Sequence, residues 1–243
     1  MRIIQITDLH IHHVDEVVNG VNTKNNFINI LKIVAKMDYD LLVITGDLSF
    51  FDGNKQVYIW IKQQLEKYNI NNYHVIGGNH DNAAIMAKVF EKKQDLNGDE
   101  LYYFIEPNFI FLDTIKGYCN SRQMDWFKAK MKEIEGIEPI VFMHHPPFKS
   151  GVPHMDSKYA FQQPEEFENI CKLHSKKIFV FCGHYHNEIS IVIDKINMFI
   201  TPSAYVQIDM FNEEFEVYHT VPAFRIIDID DSQLKTTVRY VFD

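Results

Sequence analysis

Short apolar runs alternate along the chain with longer stretches in which apolar residues recur every three or four positions. The apolar runs predict six strands, at 2–7, 41–45, 73–76, 110–112, 140–143 and 178–181. Continuous apolar runs of this length are typical of strands that are buried on both faces of a sheet. The intervening stretches predict helices over 23–37, 55–68, 82–93, 123–134 and 164–174. The alternation indicates an α/β fold with the helices outside the sheet.

The pattern changes after residue 194, where strand-like segments follow one another through short turns. No stretch with helical spacing separates them, which is typical of antiparallel strands. No repeat or low-complexity linker interrupts the chain. We therefore expect a single domain over residues 1–243, in which residues 194–243 are mainly strands of a second sheet.

Polar residues of a few types stand at the ends of five predicted strands. They are carboxylates, imidazoles and one carboxamide: Asp8, His10, Asp47, Asn79, His80, His144, His184 and His186. In α/β sheets, ligands bind at the carboxyl ends of the strands. Packing alone does not account for such residues at five strand ends, so we expect these side chains to meet in one site.

The residue types in this set indicate which metal ions the site would bind. Nitrogen and oxygen donors without thiolates suit first-row metal ions such as Mn, Fe, Co, Ni or Zn. The set holds more donors than one tetrahedral ion can use, whereas two ions that share a bridging carboxylate would use them all. Two carboxylates within about 5 Å, such as Asp8 and Asp47, repel by roughly 3 kcal/mol at an effective dielectric constant of about 20, and a cation between them reverses that repulsion.

Composition and charge narrow the class of protein. Hydrophobic residues make up 46% and charged residues 23% of the 243 residues, as in ordinary globular proteins. No apolar run reaches the roughly 18 residues that span a bilayer, and Asp8 and His10 come too early for a signal peptide. We therefore expect a cytoplasmic protein without a membrane partner. Three widely spaced cysteines argue against a disulfide framework, and a net charge of −9 without a Lys/Arg cluster argues against a nucleic-acid partner.

Five short motifs follow one another along the chain: Asp8-x-His10, Gly46-Asp47, Gly78-Asn79-His80-Asp81, His144 and Gly183-His184-x-His186. In order and spacing they resemble the motifs of the calcineurin-like metallophosphoesterases, and the resemblance spans nearly the whole chain. It implies an α/β fold of four layers, in which two mixed sheets are flanked by helices in an α-β-β-α sandwich. It also implies a dinuclear metal site at the carboxyl ends of the strands.

The resemblance implies a role for each motif residue. One metal ion would be bound by Asp8, His10 and His186. The other would be bound by Asn79, His144 and His184. Asp47 would bridge the two ions, which we expect to be Fe and/or Mn, with Zn or Co as alternatives.

The same resemblance implies how a phosphate ester would be hydrolysed. A hydroxide that bridges the two ions would attack phosphorus, because coordination lowers the pKa of water towards about 7. His80 would donate a hydrogen bond or a proton to the leaving oxygen. Asp81 would orient the imidazole of His80.

A narrower resemblance concerns the substrate. Segments 19–31, 144–156 and 201–225 resemble those of bacterial class III phosphodiesterases, which implies hydrolysis of 3′,5′-cyclic AMP to AMP. Ala223 and Gly77 depart from that pattern, which has glycine and proline at these positions. The alternative is a broader phosphodiesterase or phosphomonoesterase that acts on glycerophosphodiesters, nucleotides or another phosphate ester. The resemblance also favours a small-molecule substrate and a homodimer.

Other residues near the motifs leave their roles open. His12 and His13 are expected in a flexible loop or on the rim of the site. His154 and Asp156 lie in a segment that could reach the substrate. Tyr185, between two predicted ligands, is expected to point the other way, because alternate residues of an extended segment face opposite sides.

Overall fold

The structure is a computed structural model that describes residues 1–14, 16–230 and 233–242. Two mixed sheets form its centre. The first contains β1 (Arg2–Ile6), β2 (Leu41–Thr45), β3 (Tyr73–Ile76), β14 (Ala223–Ile229) and β15 (Leu234–Tyr240). Its order is β15-β14-β1-β2-β3, in which β14 pairs antiparallel with β15 and with β1, and β2 pairs in parallel with β1 and with β3.

The second sheet has six strands and is also mixed. It contains β6 (Tyr103–Ile105), β7 (Phe109–Phe111), β8 (Ile140–Phe142), β9 (Ile178–Cys182), β10 (Ile189–Ile193) and β11 (Ile196–Ile200). Its order is β10-β11-β9-β8-β7-β6, with parallel pairing from β7 to β11 through β8 and β9. Two short hairpin-like sheets pair β4 (Leu96–Asn97) with β5 (Glu100–Leu101) and β12 (Gln207–Ile208) with β13 (Val217–His219).

In the described part of the chain, six α-helices lie among the strands: α1 (Thr23–Val34), α2 (Lys55–Lys67), α3 (Ala83–Val89), α4 (Ser121–Glu133), α5 (Pro153–Lys158) and α6 (Pro164–Lys172). Four of them begin in the same way, since an asparagine side chain accepts a hydrogen bond from a backbone N–H of the first turn. These caps are Asn22, Asn54, Asn82 and Asn120. All five helices predicted from sequence are present and end one to four residues earlier than predicted. Helix α4 begins two residues earlier than predicted, and α5 was not predicted.

Two apolar cores separate the layers. One core joins the first sheet to α1, α2 and α3, and it includes Phe142 and Phe181 from the facing side of the second sheet. The other core joins the opposite face of the second sheet to α4 and α6 through Phe127 and Phe167. The predicted arrangement of two mixed sheets flanked by helices is therefore confirmed.

The placement of residues 194–243 differs from the prediction. β11 lies in the second sheet as expected, but β14 and β15 belong to the first sheet. β14 pairs with β1 along its length, and the Arg2 side chain donates to the Asp228 carboxylate at 2.6 Å beside that pairing. The sequence pattern indicates strands but does not choose their partners, so this part of the prediction is wrong.

A buried polar network lies between the two sheets. Arg225, which is 2% exposed, donates from Nε to Thr201 Oγ1 at 2.8 Å, and Thr201 donates to Gln5 Oε1 at 2.6 Å. Gln5 in turn donates to Thr45 Oγ1 on β2 and to the Cys182 carbonyl on β9. Buried polar groups of this kind are costly unless they are paired, so the network favours one alignment of the two sheets.

We expect Thr201→Val to destabilise the protein by about 3 kcal/mol, because it leaves a guanidinium N–H and an amide oxygen buried without partners. The loss should appear as a lower midpoint of denaturant unfolding. Thr237→Val is the matched control, since Thr237 is exposed on β15. Equal midpoints for the two variants would contradict a stabilising role for the network.

Candidate metal centre

The carboxyl ends of β1 and β9 bring three predicted ligands together. His10 Nε2 lies 3.2 Å from His186 Nε2, and His186 Nε2 lies 3.2 Å from Asp8 Oδ1. All three side chains are buried, and one donor atom from each lies within 4.8 Å of the others. The geometry therefore gathers the set that the sequence assigned to one ion.

The carboxyl ends of β2, β8 and β9 form a second group of three donors, from Asp47, His144 and His184. His144 Nε2 lies 3.4 Å from Asp47 Oδ2, and the same oxygen lies 3.5 Å from His10 Nε2 of the first group. Asp47 Oδ2 thus stands between the two groups, which is the position that a bridging carboxylate requires.

Backbone carbonyls fix the imidazoles from behind. His144 Nδ1 faces the Thr45 carbonyl at 2.8 Å, and His186 Nδ1 faces the Val206 carbonyl at 2.8 Å. His184 is turned the other way, since its Nε2 faces the Tyr159 carbonyl at 3.0 Å. Each ring donates from the named nitrogen, which leaves the opposite nitrogen free to bind a metal ion.

Left-handed backbone conformations recur at the predicted ligands. Asp8, His10, Asp47, His184 and His186 all have φ between 45° and 67°. Such values are uncommon for residues other than glycine, and they cost about 1–3 kcal/mol each. The cost is tolerated where surrounding structure over-determines the conformation, as it does here through the hydrogen bonds from Asp8 N to the Gly46 carbonyl and from His10 N to the Asp47 carbonyl.

Two glycines let the backbone come close to the carboxylates. A Cβ atom at Gly78 would collide with the Asp47 carboxylate and would lie 2.7 Å from His144 Nε2. A Cβ atom at Gly183 would lie 2.5 Å from Asp8 Oδ2. The glycines in these motifs therefore serve the packing of the site.

The electrostatics of the site suit a cation. Burial would raise the pKa of Asp8, but the neighbouring His186 outweighs it and lowers the pKa to about 2. Burial lowers the pKa of His10 and of His184 to about 3, so these rings are neutral at neutral pH. Ionised carboxylates and neutral imidazoles are the forms that bind metal ions.

His144 is a predicted ligand whose metal-binding nitrogen lacks a partner in the protein. This atom, Nε2, is buried and makes no hydrogen bond. Burial lowers the pKa of this imidazole, but the Asp47 carboxylate outweighs burial and raises the pKa to about 9. A proton on His144 thus balances the charge of Asp47, and a metal ion would balance it in the same place. The donor set of the two groups therefore fits two divalent cations.

Asn79 and His80 stand at the mouth of the two groups. Both line the cavity that opens over them, and the backbone N–H of His80 donates to Asp47 Oδ1 at 2.9 Å. Asn79 is exposed, and its role as a ligand stays a prediction. The imidazole of His80 is 5.0 Å from that of His10, measured between ring centroids.

The prediction that Asp81 orients His80 is wrong. The Asp81 carboxylate accepts from the backbone N–H groups of Leu48, Ser49 and Gly78 and from the hydroxyl of Tyr58. His80 Nδ1 instead faces the Phe50 carbonyl at 2.6 Å. Asp81 therefore ties together the two loops that carry Asp47 and Asn79, and a backbone carbonyl orients the imidazole.

Tyr185 and Asp156, whose roles the sequence left open, contact each other. Tyr185 is fully buried and donates to Asp156, whose carboxylate also accepts from the backbone of residues 150–152. Asp156 therefore stabilises the conformation of its loop.

His12 is buried against Phe50, with ring centroids 3.8 Å apart, whereas His13 is exposed. His154 lines the cavity that opens over the metal groups.

The cavity above the metal groups holds about 520 Å³, and sequence reasoning missed most of its walls. Aromatic rings supply much of the lining, from Phe50, Tyr159, Tyr205 and Phe215. Asn19 also lines it and donates to the Tyr205 hydroxyl at 2.9 Å. Lone aromatic residues in loops have no characteristic spacing, so sequence patterns do not identify them as walls of a cavity.

Among residues 1–14, 16–230 and 233–242, no helix combines the length and the apolar composition that a bilayer span requires.

Comparisons with known proteins agree with this geometry. A "probable cyclic nucleotide phosphodiesterase" of Fibrobacter succinogenes is 30% identical over 244 residues, which cover 99% of this chain and 94% of that protein. The 3′,5′-cyclic adenosine monophosphate phosphodiesterase CpdA of Escherichia coli K12 is 23% identical over 253 residues, which cover 100% of this chain and 90% of that protein.

A solved structure shares the fold. A dimetal phosphatase from Danio rerio superposes with a TM-score of 0.76 at 12% identity, covering 98% of this chain and 96% of that one. The family described as calcineurin-like phosphoesterase matches residues 1–188. With a family match over most of its length and a relative at 30% identity, the chain belongs to the calcineurin-like phosphoesterase family.

Proposed function

We propose that this protein is a metal-dependent phosphodiesterase that hydrolyses 3′,5′-cyclic AMP to AMP. One observation carries the proposal: Asp47 Oδ2 stands between two buried His/Asp groups at the floor of a cavity that has aromatic walls. The floor suits the phosphate of a diester, and the walls suit a planar organic group. The names of the two relatives support the same substrate class.

The chain would hold its two metal ions with residues from both sheets. Asp8, His10 and His186 would bind one ion, and His144, His184 and Asn79 the other, with Asp47 shared. Bound ions would supply Lewis acidity, which makes water acidic enough to act as a nucleophile near neutral pH and offsets the charge of the phosphate. Fe and Mn are our first choice, since imidazole and carboxylate ligands suit both.

His80 would deliver the proton that the leaving oxygen needs. Because Nδ1 donates to the Phe50 carbonyl, the ring can donate to a substrate only from Nε2, when both nitrogens are protonated. The backbone N–H of His80 also holds Asp47 Oδ1, so this residue ties the proton donor to the shared carboxylate. A cyclic diester with an unactivated alkoxide leaving group depends on such a donor.

The first test is turnover of 3′,5′-cyclic AMP by Mn²⁺-loaded protein beside bis(p-nitrophenyl) phosphate, each with a chelator control. We expect both diesters to be cleaved, cyclic AMP to compete with the aryl diester, and chelation to stop both reactions. Cleavage of the aryl diester alone would reject cyclic AMP and favour the alternative, a phosphodiesterase for glycerophosphodiesters or other phosphate esters.

We expect Asp47→Asn to lose at least one bound ion per chain and to lower the turnover of either diester by more than about 100-fold. Residues that only support metal ligands already cost about 10- to 100-fold, and Asp47 would contact both ions directly. Elemental analysis after gel filtration measures the bound ions.

Asp52→Asn is the matched control for this variant, because Asp52 is exposed and has nearly the same φ, 48° against 50° for Asp47. The control should bind two ions. If Asp47→Asn also retained two ions with wild-type turnover, the shared carboxylate would have no role in metal binding.

We expect His80→Ala to keep both ions but to lower turnover of cyclic AMP by about 100-fold or more, as for the loss of a general acid. Turnover of bis(p-nitrophenyl) phosphate should fall much less, because its nitrophenolate leaves without a proton. An equal loss for the two substrates, with the ions retained, would argue for a role in binding phosphate instead.

A further inference from the structure

We propose that Tyr159 and Phe215, with His154 between them, form a subsite that binds the planar base of a nucleotide by stacking. The proposal rests on the proposed function, because it names the part of the substrate that extends beyond the phosphate. We refer to these three residues as the aromatic subsite. All three line the cavity above the candidate metal centre.

The rings of the aromatic subsite are grouped around one imidazole. The His154 ring is 5.6 Å from the Tyr159 ring and 5.9 Å from the Phe215 ring, measured between centroids. His154 is only 5% exposed, whereas Tyr159 is 49% and Phe215 is 52% exposed. Two large aromatic side chains therefore leave half of their surface uncovered at the cavity, where a flat apolar group would cover it.

The two segments that carry these rings are joined to each other. His154 Nδ1 lies 3.3 Å from the Glu213 carbonyl, and Lys158 Nζ donates to Glu214 Oε2 at 2.9 Å. The two acceptors immediately precede Phe215, and Lys158 immediately precedes Tyr159. The rings thus stand on connected supports, which lowers the entropy lost when a ligand stacks against them.

The aromatic subsite is also joined to the metal centre. The Tyr159 carbonyl faces His184 Nε2 at 3.0 Å, and the Tyr159 and His184 rings are 6.4 Å apart. The backbone of Tyr159 is therefore in direct contact with a predicted metal ligand, which places the aromatic subsite beside the metal centre. A ligand that has a phosphate and a neutral planar base on one small frame, as a nucleotide has, matches this arrangement.

The part of the cavity wall that Phe50 and Tyr205 form is less suited to a base. Phe50 is already covered by His12 at 3.8 Å and by Phe51 at 4.5 Å, and Tyr205 is 4% exposed. The rings of this wall are mostly packed against the protein, so stacking a base there would bury little additional surface. The uncovered rings of Tyr159 and Phe215 are the ones that a ligand can use.

The experiment compares two ligands that differ only in the base. AMP and ribose 5-phosphate are titrated into Mn²⁺-loaded protein by calorimetry, and the ratio of their Kd values isolates the contribution of the base. We expect wild-type protein to bind AMP about tenfold more tightly or better, as for stacking of one base on aromatic side chains. Tyr159→Ala and Phe215→Ala should each bring the ratio closer to one, without changing the Kd of ribose 5-phosphate.

Two further variants separate stacking from general damage. Tyr159→Phe keeps the ring and should keep the ratio. Phe211→Ala removes a ring that is 81% exposed on the same segment as Phe215 but outside the cavity, and it should leave both Kd values unchanged. A wild-type ratio near one, or a full ratio in both alanine variants, would overturn the proposal.

The result of this binding experiment is independent of the result of the cyclic AMP hydrolysis test. If AMP binds through its base but cyclic AMP is not hydrolysed, the aromatic subsite stands and cyclic AMP hydrolysis falls. If cyclic AMP is hydrolysed but the base adds nothing to binding, the reaction stands and the aromatic subsite falls.

Discussion

Asp8 and Asp47 place two carboxylates in one buried space, and the surrounding structure is arranged to balance their charge. Backbone N–H groups supply part of the balance, from His184 to Asp8 and from His80 to Asp47. A proton on the imidazole of His144 balances the charge of Asp47, and Nε2 of this ring is buried without a hydrogen-bond partner. Buried charge is costly unless it is paired, and two bound cations would pair both carboxylates in place of these groups.

The same constraint explains why the two sheets must keep one alignment. The first sheet supplies Asp8, His10 and Asp47, and the second supplies His144, His184 and His186, so each of the two groups assigned to a metal ion draws on both sheets. Thr45 connects this site to the polar network beneath it. Its carbonyl faces His144 Nδ1 and accepts from Thr7, while its hydroxyl accepts from Gln5. A shift of one sheet against the other would break the network and the metal groups together.

The residues at the strand ends could be predicted from the sequence. A polar residue after a buried apolar run marks the end of a strand, and it also places that residue at the carboxyl edge of the sheet. The sequence was not sufficient for Asp81. The family resemblance implied that Asp81 orients His80, but the Asp81 carboxylate accepts from the Gly78 backbone N–H, and His80 Nδ1 faces the Phe50 carbonyl. The contact comes from the Phe50 carbonyl, and a backbone group leaves no trace in the residue type. The partners of β14 were equally hidden, because apolar alternation specifies a strand and not its neighbour.

The candidate metal ligands lie at the ends of sheet strands, whereas the rings that we propose to select the substrate lie in loops. The metal groups stand on strand ends in strained conformations that few other residues could adopt, so substitution there removes the site. Tyr159 and Phe215 instead follow α5 and precede β13, on segments held by one ion pair and one hydrogen bond. Changing these rings leaves the ligands of the metal centre in place. Such a division would let the fold keep one reaction while the organic part of the substrate changes, and the selectivity for a base that we propose would come from the cavity walls.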